Sequence, residues 1–154
     1  MLSDLTKIFL TSAFTIIGGI TIYVAGQIIT RFFIDPYHEY QKTVGEIADA
    51  LVYYADVYSN PGSGDKQRMD DAARIFREKG SLLRVRAYAI PQYAWFVKRG
   101  WLPQWDIIMK ASAVLIGLSN NIHRGDAKEN DLRREKIIQA LRLPPLRCPQ
   151  GSDT

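Results

Sequence analysis

The chain has 154 residues, of which 47% are hydrophobic and 23% are charged, a composition that fits one small domain with a short appendage. It excludes a fully disordered polymer and a polytopic transporter. Twenty Lys and Arg against 16 Asp and Glu give a net charge of +4, which is far below the basic excess of a dedicated nucleic-acid-binding protein. We therefore expect no nucleic-acid partner.

Residues 1–7 form a short head, and residues 8–30 carry no charge. As a helix these 23 positions would span roughly 34 Å at about 1.5 Å per residue, enough to cross a hydrocarbon core of about 30 Å. A cleaved signal peptide is the alternative, but its apolar region is typically only about 7 to 15 residues long and Val24-Ala25-Gly26 is a poor cleavage site. The sequence predicts an uncleaved, single-pass transmembrane helix in contact with membrane lipid.

One face of this predicted helix consists mostly of small residues. The residues that recur there at helical spacing are Thr11, Thr15, Gly18, Gly19, Ala25 and Gly26. In lipid, small faces allow close approach of two helices and hydrogen bonding by Thr. Gly and Thr are also common in membrane helices without such a role, which is the alternative. We favour packing against a transmembrane helix of a second copy or of another subunit.

The orientation of the predicted span is indicated by its flanking charges. Of the 20 basic residues, 19 lie on the C-terminal side of the span, and basic residues concentrate on the cytoplasmic side of membranes. The chain also has one cysteine and no N-x-Ser/Thr sequence for glycosylation. We therefore expect residues 35–143 to form a cytoplasmic domain.

The first helix of that domain is predicted to begin at Asp35-Pro36, because Asp caps helix N-termini and Pro suits the first helical position. The transmembrane helix is expected to end just before it. Apolar residues at three-four spacing predict an amphipathic helix of about six turns: Tyr37, Tyr40, Val44, Ile47, Ala48, Leu51, Tyr54, Ala55 and Tyr58. Residues 59–64 have the composition of a loop, and Asp65 is a candidate cap for the next helix.

Three further helices follow from the same spacing. The second apolar stripe consists of Met69, Ala72, Ala73, Phe76, Leu83, Ala87 and Ile90. Because the stripe keeps its phase across Gly80-Ser81, we expect one continuous helix that ends at Pro91. The third stripe, expected at the centre of the bundle, consists of Ile107, Ile108, Ala111, Val114, Leu115, Leu118 and Ile122.

A last helix is predicted from about residue 131 to 143, with Asn130 as its cap. Its expected apolar side consists of Leu132, Ile137, Ile138 and Leu141. Residues 144–154 have the Pro, Gly and Ser content of a flexible tail. The predicted fold is therefore all-α: one N-terminal transmembrane helix followed by a small antiparallel bundle of about four helices.

The sharpest local feature is the connection between the second and third of these helices. It contains all three tryptophans and a basic pair: Trp95, Lys98, Arg99, Trp101 and Trp105. Aromatic rings beside cations suit the headgroup region of a bilayer. In a small helical domain, however, Trp more commonly fills gaps between helices. We favour core packing, with membrane contact as the main alternative and a protein partner as the third.

No residue set in the sequence indicates a reaction. His38 and His123 lie on different predicted elements and Cys148 lies in the tail, so a metal site lacks clustered ligands. Phosphate-binding loops, nucleophile elbows and zinc-protease helices are absent from the sequence. We therefore expect no catalytic residue, cofactor or metal ion.

Two functional hypotheses remain. The first is a non-enzymatic, membrane-anchored interaction module or an accessory subunit of a membrane complex. The second is a small membrane-tethered enzyme or ligand sensor, with a pocket among Tyr37, Tyr40, Tyr54 and Tyr58. A cavity among these tyrosines would favour the second hypothesis, and a filled aromatic core would favour the first.

Overall fold

The computed structural model describes residues 2–145, of which 81% are helical and none is in a strand. This confirms the all-α prediction. The helices are α1 (Leu2–Ile29), α2 (Asp35–Tyr53), α3 (Ala55–Ser59), α4 (Lys66–Tyr88), α5 (Tyr93–Lys98), α6 (Trp105–Asn121) and α7 (Ala127–Ala140). The four long helices of the domain are α2, α4, α6 and α7, and two short helices, α3 and α5, lie in the connections.

The junction between α1 and α2 is a π turn, Thr30–Ile34, and the helix is not interrupted by a loop there. The backbone N–H of Asp35 donates to the carbonyl of Thr30, five residues earlier. The predicted start of a helix at Asp35-Pro36 is confirmed. No break separates it from α1, however, because residues 30–34 continue the helix as a π turn and Ile34 is itself helical (φ −76°, ψ −50°). Pro36 lacks a backbone donor and its ring crowds the preceding turn, and a wider π turn accommodates both effects without ending the helix.

One rod therefore runs from residue 4 to 53, and its N-terminal part is long and apolar enough to cross a membrane. Beyond the junction, α2 buries the predicted stripe from Tyr40 to Leu51 in the core. The helix then breaks at Tyr54 (φ −102°, ψ 23°) instead of continuing to Tyr58. The break turns Val57 and Tyr58 of α3 into the core, where the Tyr58 hydroxyl donates to the Leu51 carbonyl at 2.9 Å.

The centre of the bundle is the antiparallel pair α4 and α6, with α2 packed against α4 and α7 packed against α6. As predicted, α4 is continuous through Gly80. This glycine is buried, and a Cβ on it would lie 3.2 Å from Leu115 Cβ and from the Ser112 carbonyl oxygen. The Ser112 hydroxyl donates to the Gly80 carbonyl at 2.7 Å. The absent side chain thus lets the two helices approach closely.

The last helix begins earlier than predicted, because Asp126 and not Asn130 is its cap. The Asp126 carboxylate accepts a hydrogen bond from the Lys128 N–H at 3.1 Å. Asn130 is buried inside α7, and its amide donates to the Tyr58 carbonyl at the end of α3. Leu132, expected on the apolar side, is exposed, whereas Ile137 and Leu141 are buried. Of the predicted tail 144–154, residues 146–154 lie outside the described part of the chain.

Candidate functional site

We call the end of the bundle at which α1 joins α2 the near end, and the opposite end the far end. Contacts between elements define the near end: Tyr37 of α2 stacks on Phe96 of α5. Tyr88, the last residue of α4, contacts Trp105, the first residue of α6, at 6.3 Å between ring centroids. The start of α2, the end of α4, α5 and the start of α6 therefore lie together, directly beside the end of α1.

The connection between α4 and α6 is held in place by its backbone. Gln92 precedes α5 with φ 53°, and Gly100 follows it with φ 75°. Such left-handed conformations let the chain turn sharply, and Gly adopts them at low cost. The Tyr93 hydroxyl donates to the Pro103 carbonyl at 2.9 Å, and burial raises the pKa of Tyr93 to about 12. The hydrogen bond from Tyr93 to Pro103 therefore joins the two ends of the connection.

The three tryptophans lie on the outside of this loop. Their exposed fractions are 45% for Trp95, 55% for Trp101 and 40% for Trp105, whereas Phe96 and Leu102 are buried. The expectation that the tryptophan rings fill gaps in the core is therefore wrong. Phe96 and Leu102 fill that space, so the neighbouring tryptophans point away from the core.

Two of the tryptophans pack beside the α1–α2 junction. Trp95 and Trp101 meet edge to face at 5.7 Å, and Trp101 lies 6.5 Å from the Tyr37 ring. Together with α1–α2 junction residues they line a shallow cavity of about 300 Å³. Its lining consists of Phe33, Ile34, Tyr37, His38, Trp95, Phe96 and Trp101. The aromatic loop and the end of the apolar helix thus form one continuous surface.

A second apolar depression, of about 600 Å³, lies at the same end of the bundle. It lies beside the edge-to-face pair of Tyr93 and Trp105, whose ring centroids are 5.6 Å apart. Tyr88, on its rim, is 82% exposed. We call the exposed rings of Tyr88, Trp95, Trp101 and Trp105 the aromatic foot. Four large exposed aromatic residues at one end form an apolar surface of the kind that contacts a partner or a lipid surface.

Positive charge accompanies the aromatic foot. Lys98 and Arg99 are exposed, and the Arg99 guanidinium lies 5.1 Å from the centroid of the Trp95 ring. Residues 81–110, which form most of the near end, contain five basic residues and one acidic residue. Residues 43–80, which extend to the far end, contain seven acidic and five basic residues. Residues 81–110 thus bring a net positive charge to the end of the domain beside α1.

The small face predicted on α1 is open to the surroundings. A Cβ added to Gly18, Gly19 or Gly26 would meet no atom within 4 Å. The Thr11 and Thr15 hydroxyls each donate to the carbonyl four residues earlier, at 2.9 Å. Both hydroxyl protons are thus used within α1 and are not available to a second helix. The face, which also includes Ala25, can therefore interact mainly by letting a second helix backbone approach closely.

The tyrosines proposed as a pocket are placed mostly in the core. Tyr40 and Tyr58 are each 2% exposed, and burial raises the pKa of Tyr40. Tyr54 meets Phe76 edge to face at 6.0 Å, and Tyr37 faces the aromatic loop. The four rings therefore do not converge on a shared site.

Other candidate chemistry is sparse among the described residues. His123 Nε2 lies 3.2 Å from Asp70 Oδ1, while His38 lies at the near end. Within residues 2–145 no three His, Cys, Asp or Glu side chains are grouped as metal ligands would be. Cys148 lies outside the described part of the chain.

No protein-family model matches the chain. Searches of curated proteins and of solved structures likewise give no significant match. Function can therefore be inferred only from the chain's own geometry, in particular from α1 and the near end.

Proposed function

We propose that the protein is a single-pass, membrane-anchored, non-enzymatic interaction module or accessory subunit, whose helical domain rests on the bilayer through the aromatic foot. The observation that carries the proposal is the continuity of α1 with α2 across the π turn. Because the rod has no loop at the bilayer surface, the domain must begin where the apolar segment ends. Its first contacts there are with the loop that carries Trp95 and Trp101.

The composition of the near end supports this arrangement. Indole rings prefer the interface between lipid and water, where an apolar ring and a polar N–H are both accommodated. Lys98 and Arg99 beside them would meet anionic headgroups, each contributing about 1 kcal/mol near such a surface. The near end thus carries both the aromatic and the basic residues of a membrane-contacting surface.

The same charge distribution supports a cytoplasmic location for the domain. The cytoplasmic leaflet is rich in anionic lipids in many membranes, and the basic near end would face it. A domain on the other side would lose this complementarity.

The interaction role is assigned to the small face of α1. Apolar burial gives little drive for helix association in lipid, so close backbone packing supplies most of it. Gly18, Gly19 and Gly26 have free space around them. We infer that a second transmembrane helix, from another copy or another subunit, packs there.

Site-specific photo-crosslinking in native membranes tests the proposal. Ile22 is 76% exposed and lies between the small residues, whereas Ile20 is 58% exposed and lies about 160° around the helix. A photoreactive residue at position 22 should give a cross-linked product, and one at position 20 should give much less. The full chain should also stay in membranes during carbonate extraction. Release by carbonate, or equal cross-linking from both positions, would contradict the proposal.

A further inference from the structure

A groove of about 530 Å³ lies between α6 and α7 on the side of the near end. Its floor is apolar and includes Ile107, Val114 and Ala140, and its rim carries Lys110, Lys136 and Arg142. None of the described residues that line it is acidic. The groove thus combines an apolar surface with three positive charges.

The three cations differ in how they are held. Arg142 Nη1 donates to the Gly100 carbonyl at 2.8 Å, which fixes this side chain at the near end. Lys110 lies 3.5 Å from Asp106, and both side chains are largely exposed, so this pair is weak and easily exchanged. Lys136 is exposed on α7. The groove therefore presents more positive charge than its neighbourhood neutralises.

The position of the groove relates it to the aromatic foot. The hydrogen bond from Arg142 reaches the residue just before Trp101, so one end of the groove lies level with the foot. Lys110 is five residues along α6 from Trp105, or about 8 Å. Lys136 lies four residues, or about 6 Å, before the end of α7 at Ala140. The groove thus starts at the level of the foot and extends about one and a half helical turns away from it.

We propose that this groove binds one anionic phospholipid, with the lipid phosphate among Lys110, Lys136 and Arg142. The glycerol and upper acyl methylenes lie against the apolar floor. The inference rests on the proposed function, because membrane anchoring places the near end beside a lipid surface. An amphiphile with one negative head matches both the three cations and the apolar floor, whereas inorganic phosphate would leave the floor unused.

Lipid binding to the full chain, purified in a neutral detergent, tests this site by native mass spectrometry. The probes are short-chain phosphatidylglycerol and short-chain phosphatidylcholine. The double variant Lys110→Gln with Lys136→Gln should bind phosphatidylglycerol about 25-fold more weakly, with phosphatidylcholine unchanged. Arg142 is left intact because it holds the Gly100 loop.

A matched control removes the same charge from the far end of the domain, with Lys66→Gln and Lys128→Gln. Both residues are exposed, and this variant should bind phosphatidylglycerol like the unmodified chain. A second variant, Ala140→Phe, fills the floor without changing charge and should also weaken phosphatidylglycerol binding. It distinguishes a groove from a general attraction between charges.

Several results would overturn the inference. Equal weakening by the near-end and far-end pairs would show unspecific attraction. Displacement of the lipid by millimolar inorganic phosphate would show a simple anion site, and preference for an acidic peptide over phosphatidylglycerol would assign the groove to a protein. Carbonate extraction separates the two proposals: a chain that resists extraction but shows no lipid preference contradicts only the groove.

Discussion

Tyr37 stacks on Phe96, with ring centroids 5.8 Å apart and ring planes only 12° apart. Tyr37 lies on the first turn of α2, and Phe96 is the buried residue of α5. Stacked aromatic pairs contribute about 0.5–1.5 kcal/mol beyond their buried area. This contact joins the loop that carries the aromatic foot to the rod that contains α1, so the foot has a defined position relative to the apolar segment.

The domain of residues 35–143 should fold without α1. All buried residues of the described chain lie between Tyr40 and Leu141, and about 109 residues suffice for an independent core. We expect a helical circular dichroism spectrum and a cooperative thermal transition. A helical spectrum without a cooperative transition would mean that the domain requires its anchor or a partner.

The aromatic foot should respond to anionic membranes. Because all three indoles of the isolated domain are 40–55% exposed, their fluorescence should be that of partly hydrated rings in buffer. Anionic vesicles should shift the emission to shorter wavelength, and the shift should fade as salt screens the charges. Lys98→Gln with Arg99→Gln should reduce it, while Lys66→Gln with Lys128→Gln at the far end should not.

The opposite fluorescence result would restore the original expectation from sequence. Emission already at short wavelength in buffer, and unchanged by vesicles, would place the indoles inside the domain. A shift of equal size with neutral vesicles would keep membrane contact but remove the role of Lys98 and Arg99.

The long helices were predicted better from the sequence than the helix ends and the connection between α4 and α6. The stripe of α4 keeps its phase across Gly80, so continuity of this helix was readable from three-four spacing alone. Asp35-Pro36 correctly predicted the start of α2, but its residue types could not show that a π turn joins α2 to α1 without a break. The prediction of Asn130 as the cap of the last helix was wrong, because its amide donates across the bundle to the Tyr58 carbonyl and not to a helix end.

The spacing of apolar residues in the sequence could not predict which side chains of the aromatic foot are exposed, or where the foot lies relative to α1. In a helix of only six residues such as α5, the apolar pattern is too short to decide whether Trp95 or Phe96 faces inward. The gathering of the basic residues of 81–110 at one end of the domain appears only after the antiparallel order of α4 and α6 is known. The basic pair Lys98-Arg99 was visible in the sequence, but its position beside the end of α1 was not.

Bulky residues on the small face of α1 should weaken lateral association. Gly19→Ile or Gly26→Ile places a branched side chain where close helix approach requires none. Because no atom of the chain lies within 4 Å of an added Cβ at either position, the fold of the domain should not change. The yield of cross-linked product in native membranes, at equal expression, measures the effect. Val24→Ile, outside this face, is the control, and unchanged yields in both Gly variants would leave the face without a partner.

Substitution of Gly80 should destabilise the domain through the α4–α6 contact. A leucine would force its atoms against Leu115, Ser112 and Ile116, each 3.2 Å from the position of an added Cβ, and overpacking of this kind costs about 1–3 kcal/mol. Gly45 lies at an exposed position of α2, and a Cβ there would meet no atom within 4 Å. Gly45→Ala should therefore stabilise the helix by up to about 1 kcal/mol. Urea unfolding measures both. A neutral Gly80→Leu would mean that the helices can separate without loss.

Acid should weaken the contact between α2 and α4. The hydrogen bond from Lys79 Nζ, at 2.9 Å, lowers the pKa of the Glu46 carboxyl below its ordinary value of 4.5. A carboxyl with a lowered pKa in the folded state stabilises the fold above its unfolded pKa, and this contribution is lost as the pH falls through the folded value.

We therefore expect the free energy of unfolding to decline as the pH falls below about 4.5, and we expect Glu46→Gln to make this decline shallower. The pKa of Asp56 is lowered in the same way by its hydrogen bond with Arg68, so part of the acid dependence should remain in the variant. Urea unfolding at several pH values, on the unmodified domain and on Glu46→Gln, measures how steeply the free energy of unfolding depends on pH in each protein.

Lys79→Met should make this pH dependence shallower as well, because it removes the donor that favours the ionised carboxylate. Equal slopes in all three proteins would mean that the ion pair of Glu46 and Lys79 does not couple protonation to folding.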